Sequence, residues 1–484
     1  MKKGIGLALL SAALFAGAPA SAQSVDEKIK AMEQELTQLK EQQIELKKEA
    51  TAAAVVLPNF SYRPGAGLTI EAADKGWSIN FSLEGHMRMN FQAGRDHAGR
   101  TNGEVEGRRF RSRFNYCINN CFYEFNLHYD NDGFGGQTDL QRGQMQVHFE
   151  KINPWLPRVA FGMDGEMPVS AYRQGSGTTG SQAEYDIMSR ENGLNTGSYG
   201  NGFTLNWDNI NIPTGRIQVN FGMASFGEAG DGYSNNTDRK DFVLYARIEP
   251  FSKTKNKWIQ GFGLENMHYW CNNDPRNTNS TSSNGSGVFS ACSRLRLRDH
   301  GSGGRQTLFI FSPSSSGGRG TTDYNLTGIG WKVGPYWLRA IRGAWDLDAG
   351  RNSQGSGAKG RNFLIGHDLF LWSPKGWFTG DTGTPGSILF GTHFERNDVS
   401  CGRSNCATGS EFSRNRVLIR EWDLFYFLPN RISVGGTVQW YDASNLRSGR
   451  TEAQENLGCS SAGRSTRGKS CDWTNVQLNF RASF

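Results

Sequence analysis

The chain predicts an all-β protein, a 16-stranded antiparallel transmembrane β-barrel preceded by a short N-terminal coiled-coil helix. Three observations predict it. Apolar and polar residues alternate with period two from Trp77 to Phe484, which describes strands with one greasy and one wet face. Short turns alternate with long, polar, Gly-rich connections, as in barrels whose two rims differ. The composition is 37% hydrophobic yet 12% aromatic with 61 Gly, and no apolar run reaches the ~18 residues a membrane helix needs. A barrel hides its membrane signal from average hydropathy because alternate residues face water.

Residues 1–22 read as a secretory signal. Lys2 and Lys3 supply the positive start, Ile5 to Phe15 the apolar stretch, and Ala20-Ser21-Ala22 the small-residue cleavage site. The mature chain is therefore expected in the outer membrane of a Gram-negative cell, with its N-terminal helix in the periplasm. Residues 23–50 read as that helix. Val25, Ile29, Met32, Leu36, Leu39, Gln43 and Leu46 are spaced alternately four and three apart, the seam of a heptad repeat. A lone helix of this length is marginal in water, so the seam is expected to pack on copies of itself or to hold the chain to peptidoglycan. Residues 51–76 are expected to link the helix to the barrel.

Residues 77–484 divide into strands by their turns. In the first, Trp77, Ile79, Phe81, Leu83, Met87, Met89 and Phe91 share one face, and Glu84, His86, Arg88 and Asn90 the other. Mostly short turns are expected near 118–120, 153–157, 211–215, 252–256, 334–335, 374–386 and 429–430. Long connections are expected near 95–105, 131–139, 165–201, 227–239, 271–304, 349–361, 399–414 and 444–471. Seven turns interleaved with eight loops make sixteen strands. Around 305–333 the pattern is least regular, and Gln306 to Phe311 suggests a hairpin arm within a long loop. Trp155, Trp258, Trp331, Trp337, Trp372, Trp377 and Phe425-Tyr426-Phe427 lie at strand ends, where aromatic girdles sit.

Eight Cys fit an oxidising compartment. They fall as near neighbours, Cys117/Cys121, Cys271/Cys292, Cys401/Cys406 and Cys459/Cys471. The strand map places each pair within one connection, which selects one disulfide pattern among the many possible. There is no paired Cys-knuckle spacing, so no metal site is expected.

Function is expected in the lumen. Lys and Arg number 53 against 46 Asp and Glu, a formal charge of +7. In residues 57–484 Arg outnumbers Lys more than threefold, and the planar guanidinium suits oxyanions. Arg109, Arg111 and Arg113 alternate with Phe110, Ser112 and Phe114, so one face carries three guanidinium groups about 7 Å apart. On the lipid face an Arg would cost roughly 2–4 kcal/mol at the midplane, which argues for the lumen. Arg88, Arg142 and Arg481 fall on the same parity, as do Arg158 and Arg247. A positive ladder draws anions in and repels cations. Bracing of these residues by acids such as Glu84, Glu124, Asp130 and Asp164 is the competing expectation. The long connection at 166–202 carries Arg173 and Arg190 among mixed charges and is the candidate constriction.

Certain segments resemble a known family. They are Arg108-Arg109-Phe110-Arg111-Ser112-Arg113, Phe125-Asn126-Leu127-His128-Tyr129-Asp130, Val159-Ala160-Phe161-Gly162-Met163 with Glu166-Met167-Pro168-Val169-Ser170, and Met188-Ser189-Arg190-Glu191. The chain resembles the phosphate-selective porin O/P family over roughly residues 77–480. The resemblance implies a trimer of sixteen-stranded barrels with arginine-lined walls. It also implies passive diffusion of small hydrophilic solutes, with anions such as phosphate preferred. A structural outer-membrane or wall-tethering protein with no open channel is the alternative. No nucleophile-elbow, phosphate-loop or zinc-protease motif occurs, so neither enzyme activity nor a cofactor is expected. The arginines follow strand parity instead of clustering on a helix, so nucleic acid is not an expected partner.

Overall fold

The computed structural model describes residues 25–94, 102–131, 138–163, 200–226, 241–271, 295–298, 307–311, 320–349, 358–374, 384–401, 414–444 and 471–484. The helix and the barrel fall into separate compact units. Helix α1 spans Val25–Val56, so it runs six residues past the expected boundary. Ile29, Met32, Leu36 and Leu39 of the heptad seam are exposed on it.

The expected linker at 51–76 holds the end of that helix and a hairpin of β1 (Asn59–Arg63) and β2 (Gly67–Glu71). β2 pairs along the start of β3 (Trp77–Gly94). The walls continue with β4 (Asn102–Ile118), β5 (Tyr123–Asn131), β6 (Thr138–His148), β7 (Arg158–Met163), β8 (Gly200–Asn211), β9 (Arg216–Phe226), β10 (Asp241–Glu249) and β11 (Gly261–Cys271). A small separate hairpin, β12 (Leu295–Arg298) with β13 (Thr307–Phe311), stands between β11 and β14. The remaining wall strands are β14 (Gly320–Val333), β15 (Tyr336–Ala349), β16 (Ala358–Trp372), β17 (Ile388–Cys401), β18 (Arg414–Leu428), β19 (Ile432–Ser444) and β20 (Cys471–Ser483).

Each wall strand pairs antiparallel with the next, and β20 pairs back on β3 from Trp473↔Gly94 to Ser483↔Glu84. Sixteen strands thus close a barrel with no free edge in the wall. Phe484 completes the seam, exchanging backbone hydrogen bonds with Leu83 at 2.8 and 2.9 Å. The turns expected near 118–120, 153–157, 211–215, 252–256, 334–335 and 429–430 join the ends of consecutive strands at one rim, while 375–383 and most of the expected long connections lie outside the described residues.

Burial is inverted relative to a water-soluble protein. On β3, Glu84, His86, Arg88 and Asn90 point inward and are buried, while Phe81, Met87, Met89 and Phe91 are exposed. On β20, Asn475, Gln477, Asn479 and Arg481 are buried, while Val476, Leu478 and Phe480 are exposed. A soluble sandwich would reverse both sets, since unpaired polar groups are costly in a dry core. An apolar outer band belongs against lipid.

The outer face of the wall carries a polar row. On β11, β14 and β15, the outward residues Asn266, Thr327 and Arg342 are exposed and lie in one cross-strand row. Asn266 Nδ2 donates to Thr327 Oγ1 at 3.0 Å. Beside them a shallow groove of about 440 Å³ is lined by small and apolar residues, among them Gly328, Ala340 and Ala344.

The short-turn rim repeats one device. In the β6–β7 turn Asn153 Oδ1 accepts from Trp155 N at 3.0 Å, and in the β10–β11 turn Asn256 Oδ1 accepts from Trp258 N at 3.0 Å. The carbonyls of Trp155 and Trp258 then accept the indole N–H of Trp207 and Trp331, at 3.0 and 2.7 Å. Both turn tryptophans are exposed, as a girdle requires. The expected girdle needs correcting elsewhere. Phe425 and Phe427 are 1% exposed and pack inward with Leu389 and Phe370, whereas Tyr426 between them faces out. Trp337 also takes the inward parity, opposite Asp368.

Cys117 and Cys121 are disulfide-bonded across the β4–β5 turn, with Cα atoms 4.4 Å apart. The other expected pairs involve Cys271, Cys292, Cys401, Cys406, Cys459 and Cys471, whose side chains lie outside the described residues.

Candidate functional site

The densest set of inward arginines lies where the barrel closes, on β20, β3 and β4. Cross-strand register aligns them in rows. Arg481 faces His86, which faces Arg109; Ser483 faces Glu84, which faces Arg111; Ser82 faces Arg113, which faces His128 and then Arg142. Arg88 stands between Asn479 and Glu106. Arg88, Arg111, Arg113 and Arg481 share the lumen face by register, while the side chains of Arg109 and Arg142 lie outside the described residues.

Two bulges make this possible. Between β3 and β4 the register shifts so that His86 pairs with Arg109 but Met87 with Gly107, leaving Arg108 as the extra residue. A bulge flips side-chain parity beyond it. Val105 and Phe110, which differ in parity, thus both face outward and are exposed. A second bulge, between His128 and Tyr129, leaves Gln141 extra and lets Arg142 sit opposite His128.

The arginines are held rather than loose. Arg113 Nη2 donates to Glu84 Oε2 at 2.5 Å. Arg481 is 1% exposed and its guanidinium lies 4.3 Å from the centroid of the Phe425 ring, a cation–π geometry that fixes the charge without neutralising it. His86 Nε2 and Asn479 Oδ1 are 2.9 Å apart beneath it. Elsewhere bracing dominates: Arg158 Nη2 lies 2.8 Å from Asp208 Oδ2, and both Arg247 and Arg216 pair with Glu249. A partly exposed pair such as Arg113–Glu84 contributes about 0–1 kcal/mol; its effect is chiefly to aim the side chain. Arg173 and Arg190 lie outside the described residues, as does 164–199, most of the expected constriction loop.

The lumen has a second charged region that sequence spacing does not reveal. Arg339 on β15, Asp368 on β16, His393 on β17, and Glu421 and Asp423 on β18 are all inward and buried. They are scattered over more than eighty positions, and only the register of four neighbouring strands brings them together. The available signal is inward parity: Glu421 and Asp423 flank outward Trp422.

No family model matches the chain, and no curated relative matches it in sequence. Solved structures do resemble it. An anion-selective porin from Comamonas acidovorans superposes with a TM-score of 0.52 at 10% identity, over 84% of this chain and 100% of that one. The outer membrane channel DcaP of Acinetobacter baumannii gives 0.47 at 9% identity, over 87% and 100%. Salmonella typhi OmpF gives 0.43 at 11% identity, over 87% and 100%. The first of these likenesses places the chain in the porin fold.

Proposed function

We propose that the chain is an outer-membrane porin through which small hydrophilic solutes diffuse passively, with anions such as phosphate or similar oxyanions preferred. The observation that carries this reading is the shared lumen face of Arg88, Arg111, Arg113 and Arg481 on three adjacent strands. The mechanism is electrostatic enrichment. Fixed guanidinium groups in a bore of low-dielectric walls raise the local concentration of anions, and diffusion does the rest. No bond is made or broken. The anion-selective character of the Comamonas porin supports the direction of the preference. The acids paired along the wall temper its size.

A homotrimer in the outer membrane suits two features. The heptad residues of α1 are exposed and fit packing between copies, or contact with peptidoglycan, on the periplasmic side. The row of Asn266, Thr327 and Arg342 lies on the outward face of the wall, and an Arg there would be costly against lipid. Covering it with a second protomer removes that cost.

The test is a reversal potential across a planar bilayer in a salt gradient. Replacing Arg109, Arg111 and Arg113 together with Ser should move it toward cation preference while conductance persists. An unchanged reversal potential would remove the ladder from the mechanism, and a wild-type protein that opens no channel would remove the porin.

A further inference from the structure

Passive diffusion makes no use of the buried cluster on β15–β18. Arg339, Asp368, His393, Glu421 and Asp423 are 0%, 4%, 6%, 2% and 1% exposed. Three carboxylates, an imidazole and a guanidinium are thus gathered in a place where charge is expensive to bury. Arg339 Nη1 lies 3.4 Å from Asp368 Oδ2, and its Nη2 donates to His393 Nδ1. On the other side of the ring, His393 Nε2 stands 3.2 Å from Asp423 Oδ2 and 3.7 Å from Asp368 Oδ1. Asp423 Oδ1 accepts the Thr437 hydroxyl at 2.7 Å, whereas its buried Oδ2, aimed at the imidazole, accepts no hydrogen bond. Glu421 Oε2 accepts from Gln439 Nε2 at 2.5 Å.

We propose that His393, Glu421 and Asp423 form a site for a divalent transition cation of the zinc kind. One donor atom from each lies within 4.8 Å of the other two. Ligands at about 2.1 Å from a tetrahedral Zn²⁺ stand about 3.4 Å apart, and the 3.2 Å between His393 Nε2 and Asp423 Oδ2 matches that edge. An imidazole with two carboxylates favours zinc-like ions over Mg²⁺ or Ca²⁺, which take oxygen ligands alone. Thr437 and Gln439 hold carboxylate oxygens from behind, as supporting groups around metal ligands do.

Arg339 is the antagonist of this site. A guanidinium can only donate, so its contact makes His393 Nδ1 the acceptor and leaves the imidazole proton on Nε2. A cation at Nε2 displaces that proton to Nδ1, where it meets Arg339, and the guanidinium must turn wholly to Asp368. Removing Arg339 should therefore strengthen metal binding, although the same change would weaken a merely structural brace.

The experiment is calorimetric titration of the full-length protein in detergent micelles with Zn²⁺ and, separately, Mg²⁺, each variant first checked for the heat-modifiable mobility of a folded barrel. Wild type should take one Zn²⁺ per chain in this site and no Mg²⁺. The nearly isosteric Asp423→Asn and Glu421→Gln should each weaken Zn²⁺ at least about tenfold, the lower end of what even outer-shell changes cost, and Arg339→Gln should tighten it. Absence of Zn²⁺ binding, equal binding of Mg²⁺, variants that bind as wild type does, or weakening by Arg339→Gln would each overturn the proposal. The result is independent of whether the lumen conducts.

Discussion

At Gly366 a single missing methyl group shapes the lumen wall. A Cβ there would lie 2.6 Å from His393 Nδ1 and 3.0 Å from two guanidinium nitrogens of Arg339. The imidazole and the guanidinium meet across the strand only because that position is bare. Gly435 does the same for Phe425, with a Cβ at 2.3 Å from the ring. Gly436, one residue on, has nothing nearer than 3.7 Å. Gly366→Ala should therefore cost about 1–3 kcal/mol through overpacking. Gly436→Ala should be neutral or gain up to about 1 kcal/mol by restricting the unfolded chain. The urea midpoint for loss of heat-modifiable mobility checks both, and equal midpoints would show that the cluster has room to spare. Such crowding is invisible to alternation, which says which face a residue takes and nothing of what stands opposite. That is why alternation groups Arg88, Arg111 and Arg113 on one parity but cannot bring Arg339, His393 and Asp423 together.

At the scale of the element, turn spacing carried most of the strand map, because a barrel strand must cross a fixed thickness and then reverse. What spacing could not supply is register. The bulge at Arg108 is a one-residue event, yet it puts Val105 and Phe110, of opposite parity, on the same outward face. The backbone conformation of the β4–β5 turn was equally hidden, although the disulfide across it was expected. Asn119, Asn120 and Cys121 all take positive φ near 53–55°, a conformation non-glycine residues rarely adopt. The disulfide holds the turn, and Lys151 Nζ donates to the carbonyls of Asn120 and Cys121 at 2.6 and 2.8 Å. The loop closed is very short, so chain entropy accounts for only about 2 kcal/mol. Cys117→Ser with Cys121→Ser should lower stability by about that amount. Single-channel conductance should stay unchanged, since the turn lies at the rim. A large loss of conductance in the folded double variant would mean that the rim helps to shape the bore.

For the whole molecule, closure and association are separate problems. Closure is complete within one chain, because β20 returns to β3 and Phe484 seals the seam. Nothing about conduction through such a barrel demands a second copy. The proposed association would have two physically different handles, the exposed heptad face of α1 and the polar row on the outside of β11, β14 and β15. The first acts in water and gains by burying Leu36, Leu39 and their neighbours. The second acts in lipid, where the gain is relief of Asn266, Thr327 and Arg342 from hydrocarbon. Each can be removed without touching the lumen. Deleting residues 25–50 should loosen the oligomer in native electrophoresis while leaving unit conductance as it was. Thr327→Trp, a bulky wedge beside the groove, should separate copies even with α1 intact, whereas Phe81→Trp on the apolar wall should not. If the wedge leaves the oligomer whole, the polar row faces something other than another protomer. If deletion of α1 closes the channel in a barrel that still folds, the helix belongs to the conduction path and the two problems are not separate.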